Sequence, residues 1–363
     1  MLKLKIIMKV CLLGVGLTSL SMAKGLVNQG IAVDIFINNN NKKQHSNRTL
    51  GISKSNVEFF NKNILNIKKF LWDINKIEIY TENLKDKNIL SFENKNQNLF
   101  SIIKNDKLQN FLLSKLKKNK LVNFKKNIIS ESLIKKKYKL IINCDPKNYL
   151  TKKHFYKKIY KNYYSKAYVT QITHQKIKND IATQIFTSRG PLAFLPISEK
   201  ETSIVYSIRG SEKINFFDLL NKYNKRYKIL KIFETTSFEI KSSNLRSYYY
   251  KNILAFGDLL HKLHPHAGQG FNMSLRDIKE VLELINIRIK NGLDIDSSIC
   301  EDFEKKMKHK NYLFSQGIDL LYEFFKFENS INNSFLSKTI KILGKNKIVN
   351  KLATKFADRG III

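Results

Sequence analysis

The stretch from Leu254 to Asp277 holds the densest set of residues able to do chemistry. A buried-strand pattern, Ile253–Phe256, runs into Gly257-Asp258 and sets a carboxylate at a strand's carboxyl edge. The polar run His261-Lys262-Leu263-His264-Pro265-His266-Ala267-Gly268-Gln269-Gly270-Phe271 follows, and the spacing beyond it predicts a helix from Asn272 to Lys290. The amino end of such a helix stabilises developing negative charge, while Gly268 and Gly270 let the backbone approach a flat ligand closely. Histidines at 261, 264 and 266 raise the question of a metal. Their spacing fits no common zinc pattern and no acid lies among them, so no metal is expected and they read as rim histidines.

A second chemical signal lies near the amino terminus. Gly14-Val15-Gly16-Leu17-Thr18-Ser19 approximates G-x-G-x-x-G between a predicted strand, Ile6–Leu13, and a predicted helix, Leu17–Gln29, with a further strand at Ile31–Ile37. The first glycine allows the tight turn, and the second lets N–H groups approach a pyrophosphate at the helix N-terminus. Ser19 stands where the third glycine belongs. The acid expected about 20 residues on is missing, and Asn38 offers a weaker hydrogen bond to a ribose hydroxyl. Alone, the turn fits a dinucleotide site or a structural βα connection. Residues 1–24 also resemble a signal peptide, but that reading discards the glycine turn and the helix cap at Gly30, so the βα unit is preferred.

The elements that must position these residues fill a chain of 363 residues, 43% hydrophobic and 11% aromatic, which excludes disorder of the whole and suits two domains. Cys11, Cys144 and Cys300 form no Cys-x-x-Cys pair, which suits a reducing compartment. Arg48 leads from a polar loop, 38–47, into an amphipathic segment through Val57, Phe60 and Leu65. Ile77–Tyr80 and Ile89–Phe92 read as strands, Leu99–Leu116 as a helix, and Lys139–Asn143 as a buried strand ending at Cys144-Asp145-Pro146. From Tyr168 to Tyr206 the composition turns β-branched and aromatic, predicting a separate, mostly antiparallel layer. Prolines bracket Gly190-Pro191-Leu192-Ala193-Phe194-Leu195-Pro196, which suggests an edge strand or a loop lining a cavity.

The 257–277 stretch resembles the G-D-x-x-H-x-x-H-P-x-x-G-Q-G-x-N-x-x-x-x-D block of FAD-dependent aromatic-ring hydroxylases, specifically the ubiquinone-biosynthesis hydroxylase family. Gly257, Asp258, His261, His264, Pro265, Gly268, Gln269, Gly270, Asn272 and Asp277 all match. The glycine turn, Arg48, and Phe186 with Gly190–Pro196, similar to the family's F-x-x-x-G-P-L-A-x-L-P block, follow in the family's order.

This resemblance implies a p-hydroxybenzoate-hydroxylase-like α/β fold: a discontinuous, Rossmann-like FAD domain (1–70, 96–160, 246–330), a mostly antiparallel β-sheet substrate domain (71–95, 161–245) and C-terminal helices, with a basic segment at 331–363. It implies FAD contacts from Gly14, Gly16, Ser19, Asn38, Arg48, Asp145, Gly257, Asp258, Phe271 and Asn272. Pro265, Gly268, Gln269 and Gly270 would face the flavin, and Gly190, Pro191, Leu192, Phe194 and Pro196 the substrate. The implied reaction is monooxygenation by O₂ through a flavin C4a-hydroperoxide, on the ring of a polyprenyl-phenol or benzoquinol intermediate. NAD(P)H or another donor would visit without its own Rossmann domain, and no acid or base is assignable. The family's A-D-G-x-x-S motif is altered here to Cys144-Asp145-Pro146-Lys147-Asn148-Tyr149. A catalytically silent scaffold for quinone-biosynthesis enzymes is therefore the alternative.

The net charge of +35 first suggests a polyanion partner. Its source is mostly Lys, which shares AT-rich codons with the abundant Asn and Ile, and Arg is scarce, so no nucleic-acid partner is expected. Helical periodicity runs from Asp302 to Phe327. Residues 335–357 then alternate apolar positions such as Leu336, Ile340 and Leu343 with Lys338, Lys341 and Lys345. That pattern fits a segment on an anionic membrane or a terminal helix with a solvated Lys face. A lipid substrate makes the anionic membrane surface the expected partner, with other quinone-biosynthesis proteins, and the location cytoplasmic and peripheral on the cytoplasmic membrane.

Overall fold

Val10–Leu13 and Val33–Ile35 are almost fully buried because they are central strands of a parallel sheet, covered on both faces. The computed structural model describes residues 8–37, 48–82, 88–93, 98–126, 131–210, 214–263, 269–331 and 358. Asn38, His264, Pro265, His266, Gly268 and the lysine-rich 335–357 lie outside the described residues. The sheet has six strands in the order Tyr249–Tyr250, Ile253–Ala255, Ile141–Asn143, Lys9–Leu13, Ala32–Ile37 and Val122–Lys126. All its pairings are parallel except the 249–255 hairpin. Helix Leu17–Asn28 packs over it against helix Gln269–Lys290, where Gly25 lets the chains approach: a Cβ there would fall 2.5 Å from Leu282 Cδ1.

Asp34 is buried within this sheet, where Tyr138 and Asn123 donate to it and Lys125 pairs with it.

A smaller antiparallel sheet joins Thr49–Ser53, Phe100–Lys104 and Trp72–Ile74. The helix predicted over Leu99–Leu116 is corrected here, since Phe100–Lys104 is a strand and the helix runs Asn105–Lys117. Pairing on both sides outweighs a local helical spacing in a short apolar run.

Nine strands make the second large sheet. Eight form the path His261–Lys262, Thr236–Leu245, Lys158–His174, Glu201–Arg209, Gly190–Pro196, Ile181–Thr187, Lys76–Thr81 and Asn88–Glu93, and Ile229–Ile232 pairs beside Lys158–His174. Gly190–Pro196 is interior, not an edge or loop, because both its prolines sit near strand ends where a missing N–H is tolerated. Gly190 has φ +142, and a Cβ there would fall 2.0 Å from the Ser207 carbonyl oxygen, so only glycine fits. The last long helix spans Ser298–Ile331, starting before the predicted Asp302. No described helix is long and apolar enough to cross a membrane.

Candidate functional site

Leu13, Asn143 and Ala255 are register partners on three adjacent parallel strands. The turns that follow them, Gly14-Val15-Gly16, Cys144-Asp145 and Gly257-Asp258, therefore lie side by side at the sheet's carboxyl edge. The chain leaves Lys9–Leu13 toward Ala32–Ile37 on one side and finds Ile141–Asn143 on the other, so the Gly14 turn marks a switch in strand order, where open α/β sheets leave a ligand crevice. Gly14 has φ +102 and packs on Asp145, 3.4 Å from a Cβ added at Gly14. Gly257, at φ +63, packs on Thr18. Ser19 Oγ donates to the Gly14 carbonyl at 2.7 Å and so closes the glycine turn itself.

Two glycines here are not needed by the fold. A Cβ at Gly16, whose φ of −72 suits any residue, would meet nothing within 4 Å, and the same holds at Gly270 in the first turn of the Gln269–Lys290 helix. Gly16 is the N-cap of Leu17–Asn28, which has neither a side-chain cap nor an acid in its first turn. Its leading N–H groups thus face open space, which suits a phosphate. Gln269 Oε1 is buried with no partner among the described residues. Open glycines, an uncapped helix and an orphaned amide oxygen fit a bound dinucleotide with its flat ring beside the Gln269–Gly270 backbone.

Asp258 is exposed at the rim, and Asp145 is half-buried with Oδ1 accepting the Lys147 N–H at 2.9 Å. Burial, with the Asp258 and Asp145 carboxylates close by, pushes the Cys144 thiol up, so it stays protonated beside the crevice. The altered Cys144–Tyr149 segment is well ordered chemically: Asn148 accepts the Leu150 N–H at 3.0 Å and caps helix Tyr149–His154. Arg48 stands exposed before strand Thr49–Ser53, and its backbone carbonyl accepts the Asn105 N–H at 3.0 Å.

Asn272 departs from the expected ligand contact. Its side chain is buried, donating to the Gly51 carbonyl at 2.8 Å and accepting from Ser53 N–H at 2.9 Å and Asn56 Nδ2 at 3.0 Å. It ties helix Gln269–Lys290 to strand Thr49–Ser53 and holds the helix amino end in place. Phe271 likewise packs into the main core.

His261 is not a rim histidine. It is buried and hydrogen-bonded through Nε2 to Asp277, whose other oxygen accepts from Asn311 Nδ2 at 2.9 Å. Sequence spacing could not reveal this pair, because it joins strand His261–Lys262 to helix Gln269–Lys290, and Asn311 comes from the next helix. Arg276 was also missed: its guanidinium stacks on Phe314, 4.1 Å from the ring centroid, and burial lowers its pKa to about 10.

The Gly190–Pro196 strand is corrected as well. Leu192 and Phe194 pack with Phe216, Leu220 and Tyr227 under helix Phe216–Tyr223. A cavity of about 460 Å³ opens on that covered face between Tyr80, Glu82, Phe194 and Tyr223. Leu195 points to the opposite face, packing with Trp72, Ile74, Phe100 and Ile102 of the small sheet. By alternation Pro191 and Ala193 share that face. The row Gln184–Ala193–Val205–Val169 crosses four strands there, and its first three members are half-buried in the middle of a nine-stranded sheet.

No family profile matches the chain. It is 21% identical over 276 residues to the mitochondrial ubiquinone biosynthesis monooxygenase of Schizosaccharomyces pombe, covering 61% of this chain and 57% of that protein. To the 3-demethoxyubiquinol 3-hydroxylase of Escherichia coli it is 24% identical over 190 residues, covering 49% and 48%. The matched regions thus span about half the length of these relatives. Among solved structures, p-nitrophenol 4-monooxygenase from Pseudomonas putida superposes with a TM-score of 0.79 at 12% identity, covering 98% of this chain and 99% of that one. HpxO from Klebsiella pneumoniae, solved with FAD and uric acid, gives 0.75 at 13% identity, covering 97% of each. Sequence relationship and fold together place this chain among the relatives of the ubiquinone-biosynthesis hydroxylases, in the fold of FAD-dependent aromatic monooxygenases.

Proposed function

We propose that the chain is an FAD-dependent monooxygenase that hydroxylates the aromatic ring of a polyprenyl-phenol or benzoquinol intermediate in ubiquinone biosynthesis. The observation that carries this reading is the pair of glycines, Gly16 and Gly270, that the fold does not require and that keep backbone open at the switch-point crevice. Gly14, Gly16 and the uncapped helix would hold the FAD pyrophosphate, with Asp145, Asp258, Arg48 and Asn38 around the ribose and ribityl portions. Pro265, Gly268, Gln269 and Gly270 would lie along the flavin ring. FAD, reduced by NAD(P)H or another donor, supplies the activation of O₂. The chain's own part is to orient the substrate ring and keep water out.

Ala193 and Val205, on the open sheet face, would form the wall against the substrate, in place of Leu192 and Phe194. The ring's polyprenyl tail makes an anionic membrane surface a natural setting, and other quinone-biosynthesis proteins natural neighbours. In the altered motifs Ser19 and Asn148 each make a hydrogen bond that completes a turn, so the local fold around the proposed FAD site is kept.

Purified chain reconstituted with FAD should show bound-flavin absorbance, and its deletion should accumulate one under-hydroxylated quinone precursor. A protein that stays colourless after reconstitution would overturn the proposal.

A further inference from the structure

Strand Lys158–His174 is paired on both sides at Ser165–Val169 and at Ile172–Thr173. Over residues 158–162 it pairs, among the described residues, with Leu245–Lys241 alone, which leaves the other side as a sheet edge with no described strand beside it. Natural edges are usually short or masked. This one carries Tyr160 at 68% and Ile159 at 42% exposure, with Tyr156 at 62% and Tyr164 at 78% on either side. Tyr164 sits at φ +50, where the register shifts between Asn162 and Ser165. Asn162 Oδ1 accepts its N–H at 3.0 Å, and its carbonyl accepts the Gly210 N–H at 3.0 Å. A bulky residue rarely adopts that backbone, so the fold spends strain to display this ring.

The charges are arranged by the same pleat. Tyr160 is the register partner of Ser243, and Ser243 of Lys262; Asn162 partners Lys241 and Lys158 partners Leu245. Lys158, Tyr160, Lys241 and Lys262 therefore share one face of the ribbon. Glu239, on that face, is already paired with Lys241 at 2.7 Å. Burial and the neighbouring Lys262 lower the pKa of Lys158, as expected for like charges held together. The opposite face is covered by helix Ser298–Ile331, with Asn244 Nδ2 donating to Ser315 Oγ at 3.0 Å and Tyr163 bonded to Asp319.

We infer that this ribbon, carrying Tyr156, Lys158, Tyr160, Tyr164, Lys241 and Lys262, is the surface by which the chain lies on an anionic lipid bilayer. Tyrosine rings settle at the headgroup level, and lysine stems carry their charge to anionic lipid. Lys262 lies in the short strand His261–Lys262, a few residues before Gln269 and Gly270 of the proposed flavin site in the chain. The assignment deepens the reading of a lipid substrate and rests on it only for its purpose.

The test is co-sedimentation of the full chain with phosphatidylcholine vesicles, with and without phosphatidylglycerol. Wild type should bind the anionic vesicles in a salt-sensitive way. Tyr156→Ser/Tyr160→Ser and Lys158→Gln/Lys241→Gln should each weaken binding at least about tenfold, while Lys338→Gln/Lys341→Gln should not. These side chains are peripheral to the fold, so thermal unfolding and FAD absorbance of the variants should match wild type. A loss of flavin in wild type itself would count against the enzyme reading alone. Undiminished vesicle binding by both ribbon variants would overturn the inference, as would ribbon-dependent self-association in place of lipid binding.

Discussion

His261, in the short strand His261–Lys262, is hydrogen-bonded through Nε2 to Asp277 inside helix Gln269–Lys290. Both are buried, and Asn311 on the following helix supplies the second bond to the carboxylate. The pair acts as a clasp between that strand and the helix, whose first residues, Gln269 and Gly270, are proposed to lie along the flavin. Asp277→Ala leaves the buried imidazole without this partner and removes one bond of the Asn311 amide, and should cost about 1–3 kcal/mol in urea unfolding. FAD affinity should fall in the same variant, read by flavin fluorescence. A variant with unchanged stability would show that the clasp is not structural.

Gly14 and Gly16 separate fold from function in adjacent positions. Gly14→Ala forces a side chain onto φ +102 against Asp145 and should cost about 1–2 kcal/mol. Gly16→Val places its Cβ in open space at an ordinary backbone angle, so unfolding should lose only the difference in N-cap preference, about 1 kcal/mol. It should nevertheless lose bound FAD, seen as loss of flavin absorbance after gel filtration. Full FAD retention in Gly16→Val would mean the space serves some other ligand.

The glycine turn and the Gly257-Asp258 edge were legible in sequence because each is a local signal: a residue type tied to a backbone angle next to an apolar run. The parallel core was legible for the same reason, through runs such as Val10–Leu13. What stayed hidden depends on partners distant in the chain. Phe100–Lys104 looks helical until it is flanked by Thr49–Ser53 and Trp72–Ile74. Leu192 and Phe194 carry no mark of which sheet face they occupy, and that is decided by helix Phe216–Tyr223 covering one side. Asn272 looks like a ligand residue in its motif, yet its amide is spent on Gly51, Ser53 and Asn56.

Asp34 should make stability sensitive to acid. Burial alone would raise its pKa, but bonds from Lys125 at 2.7 Å, Tyr138 and Asn123, with Lys9 nearby, hold it below the ordinary carboxylate value. A carboxyl with a depressed folded pKa contributes stability that is present above its unfolded value of about 3.9 and lost as pH falls through the folded value. Asp34→Ala should therefore lower stability by about 2–3 kcal/mol at neutral pH. The difference from wild type should shrink as pH drops below about 4, measured by thermal unfolding across a pH series. An equal gap at every pH would point to packing, not charge.

Adjacent residues on the Gly190–Pro196 strand should give opposite phenotypes. Phe194 is buried in the layer under helix Phe216–Tyr223, so Phe194→Ala should cost about 3–5 kcal/mol of stability. With the fold intact, turnover per FAD should stay near wild type. Ala193 is half-buried on the opposite face, between Gln184 and Val205 on the neighbouring strands. Ala193→Phe fills the space proposed for the substrate ring, so it should raise KM or abolish turnover while FAD binding and unfolding stay near wild type. If Phe194→Ala instead altered substrate affinity with stability unchanged, the reacting ring would belong on the helix-covered face.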